Sequence, residues 1–124
     1  MTKLEWKKVN TSEFDRIPAA AGIYLISTLQ DDDQYEVKYV GQASDLRNRA
    51  KEHFSKEEKN KELKDHIAKK YVMKFTFSEV SSQLERDGME LYLYQYFNPP
   101  YNEKAPPGKT VIKCSSLPRI KKYK

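Results

Sequence analysis

Apolar and polar positions change their period several times along the chain, and each change marks an element. From residue 22 the run Gly-Ile-Tyr-Leu-Ile-Ser-Thr-Leu is rich in β-branched and aromatic types and reads as a strand to Leu29. Asp31-Asp32-Asp33-Gln34 is a polar turn. Tyr35, Val37 and Tyr39 then alternate with Glu36 and Lys38, the period of an antiparallel return. Gly41 supplies a sharp exit into a helix. Ser44 or Asp45 can cap that helix, and Leu46, Ala50 and Phe54 recur one turn apart as its buried stripe. Arg49 and His53 lie at the edge of the stripe, facing the same way.

Residues 55–70 are dense in charge, with Leu63 and Ile67 at helical spacing. They read as a surface helix with a solvated face, and His66 as an ordinary surface histidine. Val72 to Phe77 alternate around Lys74 and Thr76 and make a third strand. Ser82-Gln83-Leu84-Glu85 forms a capping box for a last helix, which runs to Phe97 and stops at Asn98-Pro99-Pro100. From Met89 onward this helix is apolar or aromatic on all sides, as a buried helix would be. Gly88 within it costs about 1 kcal/mol relative to Ala, which close approach of a backbone or ligand would explain. Ahead of the first strand, Leu4, Trp6, Val9, Phe14 and Ile17 are scattered among charges. They suggest a lid on the sheet, with a short helical turn capped at Thr11 or Ser12. Beyond the Pro106-Pro107-Gly108 breaker, Thr110-Val111-Ile112 is a candidate edge strand in a loose tail.

Length and composition narrow the class. A chain of 124 residues supports one core, and 38% apolar with 33% charged residues describes a folded chain. The net charge is +5, but residues 104–124 hold seven basic and no acidic side chains, so the rest is slightly acidic. Such a tail serves either as a handle on a phosphate backbone or as a solubilising segment. No apolar run approaches a membrane span, and the N-terminus lacks a signal-peptide core. Lone Cys114 can form neither an intrachain disulfide nor a cysteine-based zinc site, which fits a reducing cytoplasm.

Glu90 is the most informative single residue. A carboxylate in an apolar helical stretch must be neutralised, paired or metal-bound. A salt bridge to Arg49 or a lysine would satisfy it. So would Mg²⁺, which keeps most of its waters and takes one or two carboxylates. Arg49 suits a phosphate clamp, because its guanidinium matches phosphate oxygens bidentately. Taken singly, Tyr24 and Tyr39 are strand aromatics and Asn102 is a turn residue.

The joint order is more specific. Gly22-Ile23-Tyr24, Tyr39-Val40-Gly41, Arg49 ten residues after Tyr39, Glu90 in a later helix and Asn102 after Pro99-Pro100 follow one another. This pattern, over residues 18–102, resembles the GIY-YIG nuclease superfamily. The stretch from Tyr39 to Arg49 looks like its UvrC DNA-repair branch.

The resemblance implies an α+β fold, a small three-stranded antiparallel sheet flanked by helices in a single domain. Residues 1–17 would be a lead-in, 18–103 the nuclease-like domain and 104–124 a basic tail. It also implies an endonuclease hydrolysing DNA with Mg²⁺ or Mn²⁺. By this analogy Glu90 holds the metal, Arg49 steadies the scissile phosphate, Tyr24 and Tyr39 position or activate the attacking water, and Asn102 braces the site. His53 is a candidate base alongside Tyr24, with an ordinary pKa near 6.5 that suits the task. Gln42, Arg47, Lys109, Lys113, Lys121 and Lys122 are candidate nucleic-acid contacts, with Gln42 standing where the repair branch often has lysine. No zinc finger or helix-turn-helix motif accompanies the pattern to choose a target, and the candidate partners besides DNA are a second copy of the chain or a specificity partner protein. The rival readings are a non-catalytic nucleic-acid-binding module on the same fold and a nuclease directed at RNA.

Overall fold

In the computed structural model, which describes residues 2–124, four strands form one antiparallel sheet. They are β1 (Lys7–Asn10), β2 (Gly22–Leu29), β3 (Tyr35–Ala43) and β4 (Met73–Glu79), in the order β1-β4-β2-β3. The three-stranded expectation therefore misses one strand. β1 comes from the lead-in expected to be a lid, and it pairs with β4 from Lys7↔Phe77 to Asn10↔Lys74. Its sequence hides it because only Val9 is buried, while lysines occupy the exposed positions of a short edge strand.

Each face of the sheet carries its own apolar cluster. Tyr24, Ile26 and Phe75 meet Leu46 and Ala50 of α1 (Leu46–His53) and Leu63 of α2 (Lys61–Ala68) on one face. Ile23, Leu25, Val37 and Val40 meet Met89, Leu93 and Phe97 of α3 (Gln83–Phe97) on the other. The near-continuous apolar run of β2 follows from its central place between two covered faces. No helix among the described residues is long and apolar enough to cross a membrane.

The helix starts follow their caps. The carboxylate of Asp45 accepts the Asn48 N–H, and the side chain of Asn60 accepts that of Leu63. Ser82 caps α3 through the Glu85 N–H, but the capping box is not reciprocal. The Glu85 carboxylate instead accepts from the backbone N–H and hydroxyl of Thr2, tying the lead-in to α3. α3 is also less enclosed than expected, because Tyr92 is half-buried and Tyr96 exposed on its outer side.

Three local expectations change. Gly41 is no turn: β3 continues through it to Ala43, and Gly41 pairs with Tyr24. His66 is buried rather than superficial, with Nε2 2.8 Å from the Thr28 hydroxyl and its ring between Tyr71 and Tyr101. Thr110 to Ile112 form no strand. Ile112 lies against Gly88, where a Cβ would sit 2.4 Å from Ile112 Cγ1, and its N–H reaches the Gly88 carbonyl. The tail then crosses the α3 face, with Leu117, Ile120 and Tyr123 against the core, and Lys121 makes a parallel bridge to Glu36.

Candidate active site

The site is built at the edge of the sheet around Gly41. β2 and β3 bring Tyr24 and Tyr39 onto one face, their ring centroids 6.2 Å apart. Gly41 makes room for this, since a Cβ there would sit 2.4 Å from the Tyr24 hydroxyl oxygen. Tyr24 is buried and also stacks on Phe75, whereas half-buried Tyr39 faces a cleft of about 370 Å³. Arg49, Glu58, Lys59, Asn60, Asn102, Glu103 and Lys104 line the rest of that cleft.

α1 supplies Arg49 and His53. Arg49 donates to Glu52 at 3.2 Å and is partly exposed. Burial opposes its charge, but nearby Tyr24, Tyr39 and Glu58 outweigh that and raise its pKa. The guanidinium is thus a fixed positive charge beside both phenols. His53, which its spacing puts at the edge of the α1 stripe, is fully enclosed. Its Nε2 lies 2.6 Å from the Tyr24 hydroxyl, and its Nδ1 is hydrogen-bonded to Glu58.

Protonation in this cluster follows from burial and pairing. Burial pushes the Tyr24 phenol well above its usual value, and Tyr39 upward as well. Burial lowers the His53 pKa despite the Glu58 contact, with Arg49 acting in the same direction. Burial would raise Glu58, but hydrogen bonds from His53 and the Asn60 N–H hold it below the usual carboxylate range. At neutral pH the four groups are therefore two phenols, a neutral imidazole and a carboxylate.

Glu90 and Gln42 stand on the α3 side of the same edge. Glu90 is buried, and Gln42 Nε2 donates to its Oε1 at 3.0 Å and to Asp87 Oδ1 at 2.7 Å. Among the described residues no lysine, arginine or histidine nitrogen lies within 4.0 Å of the Glu90 carboxylate, so no salt bridge to Arg49 neutralises it. Burial raises its pKa against the Gln42 hydrogen bond, and neighbouring Asp87 adds to the rise. A buried carboxylate with one neutral donor and a second acid beside it suits a divalent cation. No group of three or more such ligands exists among the described residues. The donor set therefore matches Mg²⁺, which keeps its waters, better than a cation needing a full protein cage.

The remaining sequence candidates are spread more widely. Asn102 accepts the Val40 N–H at 3.0 Å and donates to the Val40 carbonyl at 2.8 Å, mimicking a neighbouring strand on the edge of β3. Arg47 donates to the carbonyls of Ile17 and Asp15, which joins α1 to the lead-in. In the tail, Lys121 pairs with Asp32 and Lys122 lies over the Tyr96 ring, while Lys109 and Lys113 are exposed. Lys59 and Lys104, rather than these four, line the cleft.

Glu58, Asn60 and Asp87 had no legible signal as site residues. Glu58 sits in a run of alternating charges where nothing local separates it from Glu57 or Glu62.

Comparison with known proteins bears on the family and the fold. A family model described as the UvrC-like GIY-YIG domain matches residues 20–103. UvrABC system protein C of Clostridium tetani (strain Massachusetts / E88) is 31% identical over 86 residues, 69% of this chain and 13% of that protein. The protein of the same name from Clostridioides difficile (strain 630) is 30% identical over 115 residues, 88% of this chain and 18% of its own length. The chain thus spans less than a fifth of the curated relatives it matches. Among solved structures, the GIY-YIG N-terminal endonuclease domain of UvrC from Thermotoga maritima superposes with a TM-score of 0.58 at 18% identity. That form is a point mutant bound to its catalytic divalent cation, and the match covers 75% of this chain and 93% of that one. The magnesium-bound form gives a TM-score of 0.57 at 20% identity, covering 73% and 92%. At such identities the likeness speaks to the fold, and the family model carries the rest. Spanning both tyrosine strands, Arg49, Glu90 and Asn102, it makes this chain a member of the UvrC-like GIY-YIG domain family.

Proposed function

We propose that the protein is a divalent-metal-dependent endonuclease that hydrolyses phosphodiester bonds in DNA. One observation carries the reading: Glu90 is a buried carboxylate with no cationic group within 4.0 Å among the described residues, set across the β3 edge from two tyrosines and a guanidinium. A binding module would gain nothing from such an uncompensated charge. The names of the relatives and the cation in the structural neighbours support the same reading.

Arg49 would take two oxygens of the scissile phosphate and stabilise the charge that develops on them. Lys59 and Lys104 would hold neighbouring phosphates along the cleft. Glu90 would hold Mg²⁺ or Mn²⁺, and the cation would neutralise phosphate charge as a Lewis acid. Tyr39, at the cleft wall, would orient the attacking water. The couple Tyr24–His53 would remove its proton, with Tyr24 passing its own proton to His53 Nε2. The water oxygen bonds to phosphorus, the bond to the leaving sugar oxygen breaks, and that oxygen takes a proton from solvent. Asn102 keeps Val40, and with it Tyr39 and Gly41, in place.

Supercoiled plasmid incubated with Mg²⁺, Mn²⁺ or EDTA tests this. The expected result is metal-dependent nicking that falls by at least about a hundredfold in Glu90→Gln while the fold is retained. Nicking that survives this substitution would refute the assignment of the metal to Glu90. Tight metal-independent binding without nicking would favour the binding module, and cleavage of RNA alone would redirect the substrate.

A further inference from the structure

We propose that Glu58 is a positioning residue for proton transfer: it fixes His53 in the tautomer whose bare Nε2 accepts the Tyr24 proton. This rests on the nuclease reading above, and it adds a residue outside the tyrosine, arginine, glutamate and asparagine pattern.

The argument is one of donors and acceptors. Ionised Glu58 can only accept, so the His53 Nδ1 facing it must carry the proton. Nε2 is then unprotonated, and the Tyr24 hydroxyl 2.6 Å away must donate to it. The groups facing His53 are Tyr24, Tyr39, Arg49, Glu52 and Glu58. Glu58 alone among them is an acceptor within hydrogen-bond reach of Nδ1. Without it, neutral histidine would be free to place its proton on Nε2, and Tyr24 would have no acceptor.

Glu58 is itself held rigidly. Its Oε1 accepts the Asn60 N–H at 3.0 Å, and Asn60 caps α2 and donates through Nδ2 to the Tyr101 carbonyl at 2.6 Å. Tyr101 precedes Asn102, which clamps β3. The residue that orients the histidine is thus anchored to the segment that braces the tyrosine strand. When Tyr24 hands its proton to Nε2, the O–H bond breaks and an N–H bond forms. The resulting imidazolium lies against the Glu58 carboxylate, which offsets the new charge without taking the proton. The phenolate of Tyr24 then recovers a proton from the attacking water.

The experiment reads tautomer and activity separately. Nitrogen-15 NMR of the full chain is expected to show His53 protonated on Nδ1, with the shift of an unprotonated ring nitrogen at Nε2. In Glu58→Gln, whose amide can face Nδ1 with either its oxygen or its NH₂, the protonated Nε2 form should become populated. Plasmid cleavage should fall about a hundredfold in kcat with KM little changed, and Glu58→Asp should recover part of it.

Wild-type His53 protonated on Nε2 would overturn the proposal even if the variant failed to fold. So would a folded Glu58→Gln that cuts at the wild-type rate. A wild-type protein inert on every nucleic acid would overturn the nuclease reading and the proton-transfer role with it. The tautomer, read without substrate, separates that failure from one at Glu58.

Discussion

Gly41 has no side chain, and the Tyr24 hydroxyl occupies the space this leaves. In Gly41→Ala the new methyl would lie 2.4 Å from the hydroxyl oxygen and 2.5 Å from the ring carbon that bears it. Tyr24 cannot yield easily, because its ring is stacked on Phe75 and its hydroxyl is bonded to His53. The expected outcome is a loss of about 1–3 kcal/mol in urea unfolding together with loss of nicking. A variant that keeps both would show that the hydroxyl position is not needed. At this scale the sequence was informative where chemistry is rare. A carboxylate among apolar residues drew attention to Glu90, while Arg49 and His53 stood out through the family-like order of motifs around them. Glu58 was illegible for the opposite reason. Its partner is His53, its neighbours are charged, and only the fold shows that it turns inward.

Elements with strong periodicity or caps fell close to their expected places, because α1 and α3 each commit one face to a core while β2 and β3 pack into the clusters on both faces of the sheet. α2 is as short and as charged as α1, but its attachment includes the hydrogen bond between His66 and Thr28 on β2. Burial lowers the His66 pKa to about 4, with Lys38 and Lys69 contributing. The unfolded chain, with an ordinary value near 6.5, therefore binds the proton more readily. Stability should be intact above about pH 6.5 and fall as the pH drops towards 4. His53 is shifted in the same direction. Between pH 7.5 and 5, His66→Gln should reduce the loss of unfolding free energy by roughly 1–2 kcal/mol. Equal losses in variant and wild type would mean that His66 is not protonated on unfolding in this range. A surface histidine, as the sequence suggested, would show no such effect.

For the molecule as a whole, charge and shape were harder to read than elements. The basic tail looked like a free handle because its lysines stand out. Ile112, Leu117, Ile120 and Tyr123 nevertheless fasten it to the α3 face, and Lys121 closes part of the β3 edge. The lead-in was misread for a related reason, since its partner β4 is encoded far along the chain. That separation governs the order of events in time. β2 and β3 meet through a short turn, whereas Val9 of β1 pairs with Phe75 and Thr2 reaches Glu85. Closing so long a loop is unfavourable until the other strands are in place. Val9→Ala should thus accelerate unfolding and leave the folding rate within about twofold, as read from both arms of a chevron plot. A slowed folding arm would put β1 in the nucleus instead. On this account the first strand in the sequence is the last to be fixed in the fold.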